Sequence, residues 1–363
     1  MKKILMLTKY GRKGASSRLR SYQYVRWLKK HGWAVEVNNL FCDDYLENSY
    51  SGRWVRRNLN VLGAYLRRLI SLFSVRQYDL IWIEYEVFPY FPALVERILS
   101  CLQVPYIVDY DDAVFHRYDM SRARLIRYLL SNKIDVVMKS SSLVVVCNEY
   151  LAERARSAGA LNVLVVPTVV DLDRYGIAVK KGDESRKAIT VGWVGSPSTS
   201  IYLEMLRPII ERLRKQFLVK FVVVGGTPEG WGELEWVEVI PWSEETEVEI
   251  ISRFDIGVMP LDSTPWERGK CGYKIIQYMA SGIPVVASPV GVNPDLVDGC
   301  GLLASTLDEW QVALHRLMSD PGLREKLGER GRMKVERSYS VSQTFPVIEK
   351  ALEMIRSRAI CVT

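Results

Sequence analysis

Residues 269–295 read Gly-Lys-Cys-Gly-Tyr-Lys-Ile-Ile-Gln-Tyr-Met-Ala-Ser-Gly-Ile-Pro-Val-Val-Ala-Ser-Pro-Val-Gly-Val-Asn-Pro-Asp. Cys271 to Ala280 predicts a short helix, ended at Ser281-Gly282. Pro284 to Ala287 predicts a buried β-branched strand, and Ser288 to Gly291 a turn opening toward another helix. A helix start presents free amides, and Lys270 and Lys274 stand beside this one, so the stretch suits an anionic group held without a metal. Solvated surface charge is the commoner fate of a lysine. Two of them beside two glycine turns point instead to a phosphate.

The alternation continues outward. In the first half, Ile4–Thr8, Ala34–Asn38, Leu80–Glu84, Tyr106–Asp109, Leu143–Cys147 and Val163–Val166 read as strands separated by helical stretches. In the second, strands are expected at Ala188–Val194, Val219–Val224, Val237–Ile240, Ile256–Met259, Val285–Ala287 and Leu302-Leu303. Helices are expected at Tyr202 to about Gln216, Glu245–Ser252, Leu323–Glu336 and Phe345–Ile355, with a break at Tyr339-Ser340. This pattern predicts an α/β fold of mostly parallel sheets covered by helices. A chain of 363 residues exceeds what one core normally supports, so two domains of about 170 residues follow. We place the first Rossmann-like domain at 1–175, the second at 176–340 and a terminal helix at 341–363. The polar run Lys180–Lys187 reads as a surface linker.

Ligands of open α/β sheets bind beyond the carboxyl ends of strands. The loop Lys9–Arg18 has that place after the first strand, with Gly14 permitting close backbone approach and Arg18 able to meet a phosphate or an acceptor hydroxyl. Its glycines lack the third member of a dinucleotide fingerprint. The strand ending at Asp109 runs into Tyr110-Asp-Asp-Ala-Val-Phe-His116, where crowded carboxylates should raise at least one pKa unless a cation intervenes.

The 269–295 segment resembles the donor-side segment of the family 4 glycosyltransferases, retaining enzymes with two facing Rossmann-like domains and an interdomain active-site cleft, the GT-B fold. The resemblance runs from the loop at residues 11–18 to the terminal helix, which in this fold commonly crosses back to the first domain. It implies a nucleoside-diphosphate sugar as donor, UDP- or GDP-linked, no other cofactor, and metal-independent transfer to a glycan, glycolipid or lipid-linked acceptor in cell-surface polysaccharide or glycoconjugate synthesis. Lys270 and Lys274 would stabilise the leaving diphosphate. Asp111 and Asp112, with His116 as a lesser candidate, would orient or deprotonate the acceptor hydroxyl. Trp242 would lie near the base, where tryptophan can stack or merely pack locally. The chain departs from the family at two carboxylates, which are Gly269 and Gln277 here. An amide at 277 can still accept from ribose hydroxyls, more weakly. A second departure is Gly192-Trp-Val-Gly-Ser-Pro-Ser-Thr199, where Gly195 and Ser196 offer amides and hydroxyls in place of the family's arginine and lysine.

Charge and composition narrow the alternatives. Residues 1–180 carry 27 Lys or Arg against 17 Asp or Glu, whereas residues 181–363 carry 22 against 25, so the net +7 belongs to the first half. Such a half suits an anionic surface. Arg53-Trp-Val-Arg56-Arg57, followed by Leu62, Tyr65, Leu66, Arg67, Arg68, Leu69, Ile70 and Phe73, describes a basic amphipathic helix able to lie on anionic lipid. The same pattern describes a helix packed on its own sheet with a solvated basic face. The expected location is cytoplasmic, peripheral on the inner face of the cell membrane. No apolar run approaches a membrane span, six scattered cysteines show no disulfide framework, and three histidines make a metal centre improbable. Asp109-x-Asp111 imitates a divalent-metal motif of other glycosyltransferases, but of a different fold. A GT-B sugar-nucleotide epimerase and a catalytically silent binding homologue are the competing readings. Nucleic acid is not expected, since no basic stripe with interleaved aromatics occurs.

Overall fold

The computed structural model describes residues 2–43, 54–176 and 188–360 of the chain. The chain divides into two units. The first comprises the described residues of Met1–Thr168, Gly269–Cys271 and Thr344–Thr363; the second comprises those of Val169–Arg268 and Gly272–Gln343. The run Lys180–Lys187, read from sequence as a linker, lies outside the described residues.

In the first unit, β1 (Lys2–Tyr10), β2 (Trp33–Phe41), β3 (Leu80–Glu84), β4 (Tyr106–Tyr110), β5 (Leu143–Val146) and β6 (Val163–Val165) form one parallel sheet in the order β2-β1-β3-β4-β5-β6. Ile4 to Leu7 and all of β3, β4 and β5 are buried, as continuous apolar strands must be when helices cover both faces. The order reverses at β1, whose two neighbours are β2 and β3. This is a topological switch point, where a crevice opens at the strand ends. Thr344 onward packs within the unit: Tyr24 Oη is 3.3 Å from Thr344 Oγ1, His31 Nδ1 is 2.9 Å from Glu349, and Trp27 meets Phe345 with ring centroids 5.5 Å apart.

The second unit holds β7 (Ile189–Val194), β8 (Val219–Val224), β9 (Val237–Ile240), β10 (Ile256–Met259), β11 (Val285–Ala287) and β12 (Gly301–Leu303), parallel in the order β12-β11-β10-β7-β8-β9. Its switch point lies between β7 and β10. Two apolar clusters form its core. One gathers Phe254, Ile275, Ile276 and Met279, and the other Trp193, Ile210, Trp231 and Trp310. The helix expected from Tyr202 to Gln216 divides instead into a 3₁₀ stretch at Pro197–Leu206 and an α-helix at Arg207–Leu213. Pro208 lacks an amide donor and suits a helix start better than an interior, which places the junction there.

A second correction concerns the helix Trp54–Leu72. Arg68 does not belong to a solvated basic face. It is buried, and its guanidinium donates to Thr8 O, to Asn38 O at 2.9 Å and to Asn38 Oδ1 at 2.9 Å, so it ties the helix to β1 and β2. Arg53 and the side chains of Arg56 and Arg57 lie outside the described residues. The apolar stripe of this helix is partly uncovered. Leu62 is 73% exposed, Leu66, Leu69 and Ile70 are also exposed, and Phe73, just past the helix end, is 86% exposed.

Candidate functional site

In the second unit the helix begins at Tyr273, after Gly272 in the left-handed region at φ 66°, and runs to Ala280. Its Tyr278 hydroxyl accepts from Val194 N–H at 3.0 Å and lies 3.4 Å from Val258 O, which fixes the helix against β7 and β10 at the switch point. One turn earlier, Lys274 Nζ stands 4.6 Å above the Trp193 ring of β7. That contact holds a cation beside the loop that follows β7. Gly195 opens this loop. A Cβ there would meet the Trp193 ring at 2.3 Å, so the backbone passes where no side chain fits. The Ser196 hydroxyl is occupied locally, 2.9 Å from Ser198 Oγ in a capping turn.

Trp242 reaches the same place from the end of β9. A Cβ on Gly225, itself at φ 75°, would lie 2.5 Å from Gly195 O and 2.8 Å from Trp242 Cβ, so the loops after β7, β8 and β9 converge. The Trp242 indole N–H donates to one oxygen of Glu247. Gln277 donates its amide to the other Glu247 oxygen and lies 3.1 Å from Tyr175 Oη. Both Glu247 and Gln277 are buried. Sequence reasoning missed Glu247; the only signal was a carboxylate in the first turn of a helix behind a strand end. It also passed over Glu267, a buried carboxylate two residues before Gly269 that accepts from the hydroxyls of Tyr202 and Thr264.

Lys270 has a different environment from Lys274. It belongs with the first unit, where its ammonium is 3.8 Å from Asp112. Asn148 Nδ2 donates to Gly269 O and Lys270 O, both at 3.1 Å, and pins this short segment to the end of β5. Cys147 Sγ donates to Gly269 O at 3.8 Å, and Cys271 packs against the same apolar core. Hydrogen bonding from Cys147 holds the Cys271 thiol below its usual range, while burial pushes Cys147 up. Gly269 is required by Ala113: an added Cβ would lie 2.5 Å from Ala113 Cβ and 2.7 Å from its nitrogen.

The aspartates after β4 have separate duties. Asp109 is buried against Arg20, with 2.8 Å between Arg20 Nε and its Oδ1, and burial pushes it up to about 6 despite that cation. The expected raised carboxylate is therefore Asp109, and desolvation is a larger cause than its neighbour Asp111. Asp111 accepts from the Tyr85 hydroxyl. Asp112 is the half-buried one, facing Lys270. His116 is engaged at both ring nitrogens, 2.9 Å from Asp119 and 2.8 Å from Tyr150 Oη. Arg18 is buried and reaches back to Arg12 O at 3.3 Å. A Cβ on Gly14 would strike Tyr10 at 2.5 Å, so this glycine serves close packing of its own loop. Among the described residues no three His, Cys, Asp or Glu converge as metal ligands.

Residues 188–320 match the family model Glycosyl transferases group 1. The sequence is 36% identical over 89 residues to the MMP alpha-(1->4)-mannosyltransferase of Mycolicibacterium hassiacum; the match spans 22% of this chain and 22% of that relative's length. Sucrose-phosphate synthase from Thermosynechococcus elongatus superposes with a TM-score of 0.75 at 14% identity, covering 99% of this chain and all (100%) of that one. Anabaena HepE in complex with UDP-glucose superposes at 0.69 with 16% identity, covering 98% and 100%. The chain has the α/β GT-B fold of these proteins, as its resemblance implied.

Proposed function

We propose that the protein is a retaining, metal-independent glycosyltransferase that takes a sugar from a UDP- or GDP-sugar to a glycan, glycolipid or lipid-linked acceptor in cell-surface polysaccharide or glycoconjugate synthesis. The observation that carries the reading is the convergence of Gly195, Lys274, Trp242 and Gln277 at the carboxyl ends of the second sheet, with Glu247 fixing two of them. Lys274 supplies charge for a diphosphate, the glycine loop supplies amides, and the Gln277 carbonyl can accept from ribose once its amide is committed to Glu247. HepE, a neighbour of the same fold, is described in complex with UDP-glucose. Asp112 is the carboxylate near Lys270 and takes the acceptor-side role; Lys270 offsets charge on the leaving group. Retention rests on the family resemblance, with attack from the face that the diphosphate leaves, so no protein nucleophile is assigned.

The experiment is calorimetric titration with UDP- and GDP-sugars in the presence of a chelator, followed by donor turnover with and without acceptor. Binding of at least one donor supports the reading. Failure of every donor overturns it, release of an altered free nucleotide sugar would favour an epimerase, and binding without turnover a silent homologue.

The acceptor side is proposed to rest on the cytoplasmic face of an anionic membrane. No described helix is long and apolar enough to cross one. The first unit exposes Leu62 and Leu66 on one helix with Phe73 just past its end, Leu94 and Ile98 on another, and Leu125 and Tyr128 on a third. Tyr65 of the first helix meets Phe88, which in turn meets Phe91, in the loop leading to the second. A soluble surface seldom collects that many large apolar side chains. Arg67, Arg122, Arg124 and Arg127 lie among them in sequence and would meet anionic headgroups.

A further inference from the structure

The site described above makes no use of Lys9, a cation at a strand end of the first unit. Lys9 is the penultimate residue of β1, beside β3 at the switch point of the first sheet. It is half-buried. Its Nζ lies 5.1 Å from the ring centroid of Tyr10 and 5.9 Å from that of Tyr85, and among the described residues it has no hydrogen-bond acceptor or ion-pair partner.

The charges of Glu84, Glu86 and Asp112 act on Lys9, but among the described residues none of these carboxylates forms a hydrogen bond or ion pair with its ammonium. Glu84 accepts from the Lys9 backbone amide at 2.9 Å and from the Ser17 hydroxyl at 2.6 Å, while its other oxygen is buried without a partner. Glu86 binds Lys133 and the Tyr118 hydroxyl; Asp111 binds Tyr85; Asp112 faces Lys270. Burial pushes Lys9 down to about 8, the Arg117 guanidinium acting in the same direction, and burial pushes Glu84 up to about 7. Glu84 is thus a weak counter-ion near neutral pH. The backbone adds a separate sign of function. Tyr85, whose ring lies beside the ammonium, sits at φ 62°, a conformation that a bulky residue seldom adopts unless its surroundings impose it. A half-desolvated ammonium with three donors and no acceptor is a costly arrangement that an incoming oxygen anion would complete.

We propose that the Lys9 ammonium receives a phosphate group carried by the acceptor, so that the enzyme selects phosphorylated acceptors over uncharged ones. This rests on the transferase reading for the word acceptor. The binding site itself does not depend on it.

The test is calorimetric titration, without donor, of the unaltered protein, Lys9→Gln and Lys9→Arg. The probes are a hexose phosphate, the same hexose uncharged, and a short-chain soluble phosphatidate; UDP-glucose binding and thermal melting are measured alongside. At least one phosphorylated probe is expected to bind the parent about tenfold or more above the uncharged hexose, with that preference lost in Lys9→Gln and partly restored in Lys9→Arg. Melting of Lys9→Gln should be unchanged or higher, because an unpartnered desolvated cation is removed. Whether the hexose phosphate or the phosphatidate shows the loss separates a soluble from a lipid source. The proposal is overturned if neither phosphorylated probe is preferred by the parent, or if the preference survives Lys9→Gln. Failure to bind UDP-glucose would instead count against the donor reading.

Discussion

Gln277 commits its amide nitrogen to the buried carboxylate of Glu247, 30 residues earlier in the chain. An amide can present either end to a ligand, and a carboxylate on one side determines which. Glu247 therefore positions the Gln277 carbonyl as an acceptor, and Trp242 is held by the same group. Glu247→Gln should weaken UDP-sugar binding about tenfold and cost about 1–3 kcal/mol of stability, because the new amide faces another amide. Gln277→Glu, which installs the family's residue, should also weaken the protein. Two carboxylates would then share one buried site, and the loss of melting temperature should grow from pH 5 to pH 8. A Gln277→Glu variant that binds donor better with unchanged melting would contradict this account.

Gly269→Glu should not recover the family's missing carboxylate. Its Cβ would sit 2.5 Å from that of Ala113, so the segment held by Asn148 must move. Overpacking of this kind costs about 1–3 kcal/mol. Urea unfolding of Gly269→Ala and Gly269→Glu, alone and combined with Ala113→Gly, checks it: the second change should return part of the lost stability.

Lys270→Ala should reduce turnover by about 100-fold or more while changing stability by less than about 0.5 kcal/mol. The 3.8 Å contact with Asp112 is partly exposed and contributes little to folding. Steady-state kinetics beside chemical unfolding separate the two effects. Equal turnover of parent and variant would remove Lys270 from the mechanism.

Glu84 makes stability depend on pH in a defined direction. Burial holds it protonated to about 7 in the fold, against a usual value of 4.5. The unfolded chain therefore releases this proton first, and stability falls as pH rises from about 4.5 to about 7, then levels. Glu84→Gln has no such proton. The stability of the variant relative to the parent, read from chemical unfolding, should climb across that window by about 1–3 kcal/mol, and a flat difference would refute the assignment.

Replacing Phe73 and Tyr128 by Asp should abolish flotation with anionic vesicles and leave UDP-sugar binding intact. Both side chains are more than four-fifths exposed, at 86% and 85%, so folding should change little. Neutralising Arg67, Arg122, Arg124 and Arg127 should weaken flotation and reduce its salt dependence. Flotation insensitive to both sets of changes would favour a soluble acceptor.

The strands were legible because their cause is local. A buried parallel strand is apolar over most of its length, and Leu80–Ile83, Phe221–Val224 and Val285–Ala287 carry that demand in consecutive residues. The site was legible only in part. Lys274, Trp242 and Gln277 stand at strand ends or on the helix that follows them, and the sequence places those ends on one rim. Periodicity failed where one residue serves a distant partner. Arg68 has the spacing of a surface arginine, yet its acceptors are Thr8 and Asn38.

Consecutive side chains were enough to establish an α/β chain with two sheets, since backbone pairing and burial act through the period of the elements themselves. The same order of residues could not say that Lys270 faces Asp112 while Lys274 covers Trp193, or that Glu247 stands behind Gln277. Those pairings join residues from 30 to 158 positions apart, and their energies depend on distances of a few ångströms that exist only after the sheets have formed. Lys9 shows the difference most simply. Its charge is written in the sequence, but that it has no hydrogen-bond acceptor or ion pair among the described residues is a property of the folded β1 and β3.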